Sequence, residues 1–307
     1  MGQLRTNGSV RKLLRWAGMP RSTFYYRSQG GKRGRKSVKE IEHKEGIRYS
    51  EEKILELIKG LLFDDFTSSY GYIKITHWLK HRGYIVNKKR VYRIMKQAGL
   101  LKSRDLFRKQ YRAPQAEEFL MRPKGPYEGL QMDITYVFIQ GEKRSALFLV
   151  IQDVFSRKVL GYRIGWSMRG SDVIELIDDV VLGLDKIPKK IIIRTDRGPQ
   201  FVSHMLYEYL QEVGIGHELT RPKTPQHNAY IESFFSIFER EVIYREEFFS
   251  IEHLKETAHK FITFYNDERL HAGLRYRSPA MVLKDFFNRQ EQEGVSLNQY
   301  PVQLIGG

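Results

Sequence analysis

The sequence predicts an α/β core, a mixed sheet flanked by helices, preceded by an all-α arm with a helix-turn-helix pattern. Three observations point there. From Leu130 onward short β-rich runs alternate with stretches of helical periodicity in the order β-β-β-α-β-α-β-α, which calls for a sheet covered by helices. Before that point the periodic segments read as helices. Charge divides at the same place: residues 1–127 hold 30 Lys+Arg against 11 Asp+Glu, a net of +19, whereas residues 128–307 hold 22 against 25, a net of −3. The first part therefore seeks a polyanion and the second does not.

With 307 residues there is room for two domains, and 41% hydrophobic and 13% aromatic content can fill a sizeable core. The longest apolar run, Ala146 to Ile151, is six residues. That is far below the roughly 20 a membrane span needs, so no membrane association is expected. The basic N-terminus lacks the apolar stretch of a secretory leader. Cysteine is absent, which excludes disulfides and cysteine-ligated zinc, so any metal must be held by oxygen or imidazole. A cytoplasmic, nucleoid-associated protein fits these features.

The arm divides into residues 1–28, a basic linker 29–49, a helical DNA-binding domain 50–100 and a second linker 101–126. In the first, Arg11 to Tyr26 sets two short helices around Gly18-Met19-Pro20, with Ser22 as a helix cap and Arg11, Lys12, Arg15 and Arg21 as candidate DNA contacts. Ser50 caps a helix with Glu51 and Glu52 in its first turn and Ile54, Leu55, Leu57, Ile58, Leu61 and Leu62 on the inner side. Further helices span Tyr72–His81 and Asn87–Ala98. On the last, Val91, Ile94 and Met95 face inward while Lys88, Lys89, Arg90, Arg93 and Lys96 stay out, with no acid between residues 66 and 104 to balance them. Such a face suits a DNA groove. His77 and His81 stand four apart, but without a third ligand they read as surface or packing residues.

The core, residues 127–288, opens with an antiparallel meander over Leu130–Ile139, Arg144–Val154 and Lys158–Ile164. Ser171 caps a helix through Val181, Lys190–Thr195 is a buried strand, Ser203–Val213 a helix and Gly216–Thr220 a short strand. Arg221–Asn228 is a polar, proline-containing loop that delivers the chain into a helix with Ile231, Phe234, Phe235, Phe238 and Val242 as its packed stripe. A final helix pair spans Ile251–Asn266 and Ser278–Phe287, joined by a polar turn read as structural. Residues 289–307 form a polar tail. Asp133 falls on the first strand and Asp196 at the exit of the fourth, with 62 residues between them; Glu232 lies 35 intervening residues further on, near a helix start. If the fourth strand lies beside the first, Asp133 and Asp196 are neighbours. Two acids on strands and one on a helix are the oxygen set that can hold a pair of Mg²⁺ or Mn²⁺ ions against a phosphodiester. No Ser/His/Asp order or Gly-rich nucleotide loop competes with that reading.

Five stretches carry a family resemblance: Met132-Asp133-Ile134-Thr135-Tyr136; Thr195-Asp196-Arg197-Gly198-Pro199-Gln200-Phe201; Asn228-Ala229-Tyr230-Ile231-Glu232-Ser233-Phe234-Phe235; Tyr265-Asn266 with Arg269, His271, Leu274 and Pro279; and Tyr70-Gly71-Tyr72 through Lys89-Arg90-Val91-Tyr92-Arg93. In these the chain resembles the second-reading-frame (OrfB-type) transposases of bacterial insertion elements, within the retroviral-integrase superfamily. The resemblance implies a ribonuclease-H-like fold and a DDE-type enzyme that cleaves and joins double-stranded DNA at element ends and target. It also implies two divalent ions per active site held by Asp133, Asp196 and Glu232, and action as a homo-oligomer, with a first-frame protein as partner or fusion. Where the family carries a basic residue seven positions after the glutamate, this chain has Glu239, followed by Arg240, which becomes a candidate DNA contact. A nuclease that cuts without joining and a non-catalytic DNA-binding regulator are the alternative readings.

Overall fold

The computed structural model describes residues 10–26, 40–102, 121–184, 186–220 and 228–292. Two compact units result, residues 1–40 and 41–307. In the first, α1 (Val10–Trp16) and α2 (Arg21–Phe24) flank the expected break at Gly18, which takes a positive φ of 61°. Residues 1–9 and 27–39, the latter holding the first part of the expected linker 29–49, lie outside the described residues.

The second unit begins earlier than its helices suggest. Strands β1 (Glu40–Glu42) and β2 (Arg48–Ser50) pair as a small hairpin where a basic linker was expected. The hairpin is tied to the end of the later helix α4: Ile85 N–H donates to Glu42 O at 2.8 Å, and Lys44 N–H to Gly83 O at 2.9 Å. Three-residue strands carry too little alternation to be read from sequence. Helix α3 (Glu51–Phe63) starts as expected, with the Ser50 hydroxyl accepting from Lys53 N–H, and buries Ile54 and Ile58. Helix α4 (Tyr72–His81) and α5 (Lys88–Gln97), the latter capped by Asn87, complete a three-helix module. His77 stacks on Tyr276 with ring centroids 4.1 Å apart, the packing role expected of it.

The meander forms as β3 (Gly129–Ile139), β4 (Arg144–Asp153) and β5 (Val159–Gly165). Beyond it come α6 (Gly170–Leu182), β6 (Ile192–Thr195), α7 (His204–Glu212), β7 (Gly216–Leu219), α8 (Ala229–Phe238), α9 (Ile251–Asp267) and α10 (Pro279–Gln292). Helix α6 is capped by Arg169, not by Ser171: the Arg169 N–H donates to the Asp172 carboxylate at 2.6 Å, so Ser171 lies inside the first turn. The five strands run in the order β5-β4-β3-β6-β7, antiparallel within the meander and parallel across β3-β6-β7, which makes the sheet mixed.

Strand alternation sorts β3 between two layers. Leu130 and Met132 join Val173, Leu176, Ile177, Leu206 and Leu210 under α6 and α7. Val137 and Ile139 join Ile231, Phe234, Phe238, Phe261 and Tyr265 under α8 and α9. Phe148, fully buried, centres that second layer, its ring 5.0 Å from Phe238 and 6.0 Å from Phe235. The same layer runs on without a break into Ile54, Ile58, Ile75, Leu79, Val91 and Met95 of the three-helix module. Phe66 stacks on Phe264 at 5.2 Å, the Tyr70 hydroxyl accepts from Leu270 N–H at 3.0 Å, and Arg245 reaches Asp65 O and Ser68 Oγ. Module and core thus share one interior. No helix among the described residues is long and apolar enough to cross a membrane.

Candidate active site

The sequence places Asp133 two residues beyond Gln131 on β3, and period-2 alternation sends both side chains to the α8/α9 face. Parallel pairing aligns Gln131 with Arg194 of β6. Carried two residues further, that register sets Asp133 opposite Asp196, just past the end of β6, on adjacent strands about 4.8 Å apart. Asp196 is held in a tight turn, its Oδ1 accepting from Gly198 N–H at 2.9 Å. A Cβ on Gly198 would lie 2.5 Å from Gln200 Nε2 and 3.1 Å from Asp196 Oδ1, so a larger residue there would make the Gln200 side chain move away from the turn.

Glu232 arrives from the other layer, exposed in the first turn of α8. Its helix has no side-chain cap from Asn228. Instead, the buried Gln131 Oε1 accepts from Ile231 N–H at 3.1 Å. That bond ties the helix start to the strand two residues before Asp133. The helix stripe Ile231, Phe234, Phe235 and Phe238 is buried as expected and fixes the rotation that leaves Glu232 outward.

The electrostatics agree with this placement. Burial, together with the neighbouring charges of Asp196 and Glu232, pushes the Asp133 carboxyl up to about 7, against the Ile134 N–H bond to its Oδ1 at 2.8 Å. Asp133, with two further carboxylates whose charges reach it, belongs to an oxygen donor set suited to hard divalent cations. Among the described residues, however, no three His, Asp or Glu side chains stand close enough to form a finished metal cage. The donor chemistry fits Mg²⁺ or Mn²⁺, and Glu232 is the exposed member of the three.

The candidate DNA contacts divide. Lys88, Lys89 and Lys96 are exposed along the outer side of α5. Arg90 and Arg93 do not stay out. Both bind the Glu51 carboxylate of α3, Arg90 through Nε at 2.8 Å, and both are partly buried. Sequence counting found no acid near them because their partner lies some 40 positions upstream. Arg15 is exposed at the end of α1, whereas the side chains of Arg11, Lys12 and Arg21 lie outside what is described. Arg240 is exposed, its Nε donating to Ser236 O at 3.0 Å.

Sequence reasoning passed over Gln131, although a polar residue between Leu130 and Met132 on a buried strand was the signal. Arg157 was also missed: its guanidinium lies over the Tyr230 ring, 3.1 Å from the centroid, at the first turn of α8. If Gln131 sets the depth of that helix, Gln131→Met, which keeps the length but removes the acceptor, should lower turnover about 10-fold while moving the melting temperature by only a few degrees. Turnover at unchanged duplex affinity is the readout, and Gln131→Glu, which keeps the acceptor, should recover part of the loss.

Comparison with known proteins meets this geometry. Residues 123–225 and 213–279 match models described as integrase core domains, and residues 49–109 match an HTH-like domain. The chain is 32% identical over 248 residues to the transposase for insertion sequence element IS904 of Lactococcus lactis, covering 76% of this chain and 93% of that one. It is 26% identical over 293 residues to the putative transposase InsK for insertion sequence element IS150 of Escherichia coli, covering 91% and 95%. Among solved structures, a chain of the simian T-cell lymphotropic virus intasome in complex with a PP2A regulatory subunit superimposes with a TM-score of 0.45 at 14% identity, covering 82% of this chain and 78% of that one. An integrase-type core behind a helix-turn-helix module defines a polynucleotidyl-transferase class of enzyme serving DNA transposition. Within that class, the chain belongs to the insertion-sequence transposases of the second-reading-frame type, in the retroviral-integrase superfamily.

Proposed function

We propose that this transposase cleaves and joins double-stranded DNA at insertion-element ends with Asp133, Asp196 and Glu232 as its catalytic acids. Asp133, Asp196 and Glu232 would hold two Mg²⁺ or Mn²⁺ ions through their carboxylate oxygens. When bound, the ions activate the attacking water or DNA 3′-OH and stabilise the leaving oxygen of an in-line displacement. The chain's own contribution is to orient. The Asp196 turn and the Gln131 tie fix two approach directions onto Asp133, and the exposed cations of α5 hold the duplex by its phosphates. One observation supports the reading: the parallel register of β3 and β6, carried two residues on, sets Asp133 opposite Asp196, and the Gln131–Ile231 bond ties the start of the helix bearing Glu232 to the same strand. As a homo-oligomer in the cytoplasm, with or without a first-frame partner, the protein would bring two element ends and a target together.

Pre-cut element ends bearing free 3′-OH groups separate this function from nuclease activity alone. Incubated with the protein, Mg²⁺ and target duplex, they should give joined product. Cutting of intact ends with no joining of pre-cut ones would leave a nuclease.

A further inference from the structure

The turn between β4 and β5 places a large side chain where the backbone favours glycine. Arg157 has a φ of 67°, the left-handed region that strains any residue bearing a Cβ. The turn itself is firmly held. The buried Asp153 carboxylate accepts from Ser156 N–H at 2.8 Å and from Tyr127 N–H at 3.0 Å, Arg157 N–H donates to Asp153 O at 2.9 Å, and the Arg157 carbonyl accepts from Gln152 Nε2 at 2.9 Å. Two residues on, Val159 exchanges both its backbone bonds with the Asn266 side chain of α9, each at 2.9 Å. A turn so fixed aims the arginine in one direction, and that direction is the start of α8: the guanidinium lies over the Tyr230 ring, 3.1 Å from its centroid. Its Nη1 is buried without a hydrogen-bond partner among the described residues. Packing alone would not select this arrangement, since glycine would remove both the strain and the unmet donor. Strain that the surrounding bonds hold in place points to a task for the side chain.

Tyr230 belongs to the first turn of α8, two residues before Glu232. At about 100° per residue the two side chains leave the helix on nearly opposite sides, so a contact that holds the ring also sets the rotation at which Glu232 projects. The Gln131–Ile231 bond pins the same turn at one point, about which the helix start is still free to swing. A second point removes that freedom. With side-chain ends about 5–6 Å from the axis, a swing of about 10° carries the Glu232 carboxylate about 1 Å. Displacements on that scale cost catalysis up to about 100-fold. We infer that Arg157 is a positioning residue: through the Tyr230 ring it locks the rotation of the α8 start, and with it the place at which Glu232 presents its carboxylate. The effect on turnover rests on the reading of Glu232 as a catalytic acid; the clamp on the helix does not.

The test uses the full chain and three readouts: joining of pre-cut ends in Mg²⁺, affinity for the end duplex in a chelator, and hydrogen exchange across residues 229–238. Arg157→Gly should slow joining about 10-fold or more at unchanged duplex affinity, and speed exchange at the start of α8 about 10-fold while β4 stays protected. Glycine is at ease at a φ of 67°, so the variant should melt within a few degrees of the parent. A residue serving stability alone would lower melting temperature and activity together. Tyr230→Leu should match the loss in joining, Tyr230→Phe, which keeps the ring, should recover most of it, and the double variant Arg157→Gly/Tyr230→Leu should lose little beyond either single one. Exchange and joining at parental rates in Arg157→Gly, or losses that multiply in the double, would overturn the clamp. Should Glu232→Gln still join ends, the acid assignment falls, and the exchange of α8 in Arg157→Gly still decides the clamp by itself.

Discussion

Purified Asp196→Ala protein is expected to lose end cleavage and strand joining at least about 1000-fold, roughly 4 kcal/mol of barrier, while its affinity for duplex DNA stays within about twofold. The split follows from where the groups lie. Asp196 sits in a turn past β6, and among the described residues its carboxylate bonds only to Gly198 N–H in the same turn, so removing it breaks no long-range hydrogen bond there. The exposed cations proposed to hold phosphate, Lys88, Lys89 and Lys96, lie on α5, an element that the substitution leaves alone. Cleavage and joining assayed in Mg²⁺ and again in Mn²⁺, beside duplex binding in a chelator, give the two readouts. Strand transfer retained by Asp196→Ala would refute the acid assignment.

The second large effect concerns stability. Arg269 and Glu241 form an ion pair with both side chains under a tenth exposed, and Arg269→Met would strand the carboxylate in that setting. A destabilisation of about 3–5 kcal/mol is expected by urea unfolding. The double variant Arg269→Met/Glu241→Met should recover much of it, since neither charge is then left alone. Acid should act on the same cluster. Burial, then the charges of Arg269 and Lys74, lower the His271 imidazole from 6.5 to about 3. As pH falls below 6.5 the unfolded chain takes up a proton that the folded one refuses, so stability declines steadily toward pH 3, by up to about 1.4 kcal/mol per pH unit. Glu241, held below its usual range because Arg269 outweighs the cost of burial, adds its own loss only at lower pH, below about 4.5. In His271→Gln the slope between pH 6.5 and 4.5 should flatten; a slope identical to the parent's would place the proton elsewhere.

Much of this molecule could be read in advance, for local reasons. Period-2 alternation and turn residues gave the meander, Ser50 and Asn87 announced the starts of α3 and α5, and the apolar run ending at Thr195 marked β6. The meeting of Asp133 with Asp196 needed only one condition, that β6 lie beside β3, and it does. What could not be read were partnerships set by tertiary structure. Arg90 and Arg93 looked unbalanced because Glu51 is distant in sequence. Arg269 and His271 gave no sign of what they would bind, although their packing role was correctly weighed. Gln131 showed itself only as a polar break in an apolar run, and nothing local said that its acceptor would cap a helix 100 residues on.

The uninterrupted apolar layer beneath α3, α4, α8 and α9 bears on how such proteins can diversify. Recognition helices that stand on their own can be traded between lineages by recombination. Here, severing the first from the second would lay Tyr70, Phe66 and Phe261 open to water and strand Glu241 from Ser69. If the outward side of α5 reads the element ends, new end preferences in this lineage should arise there by point substitution, residue by residue, and inherited chimaeras that exchange the three-helix module should be rare among functional copies.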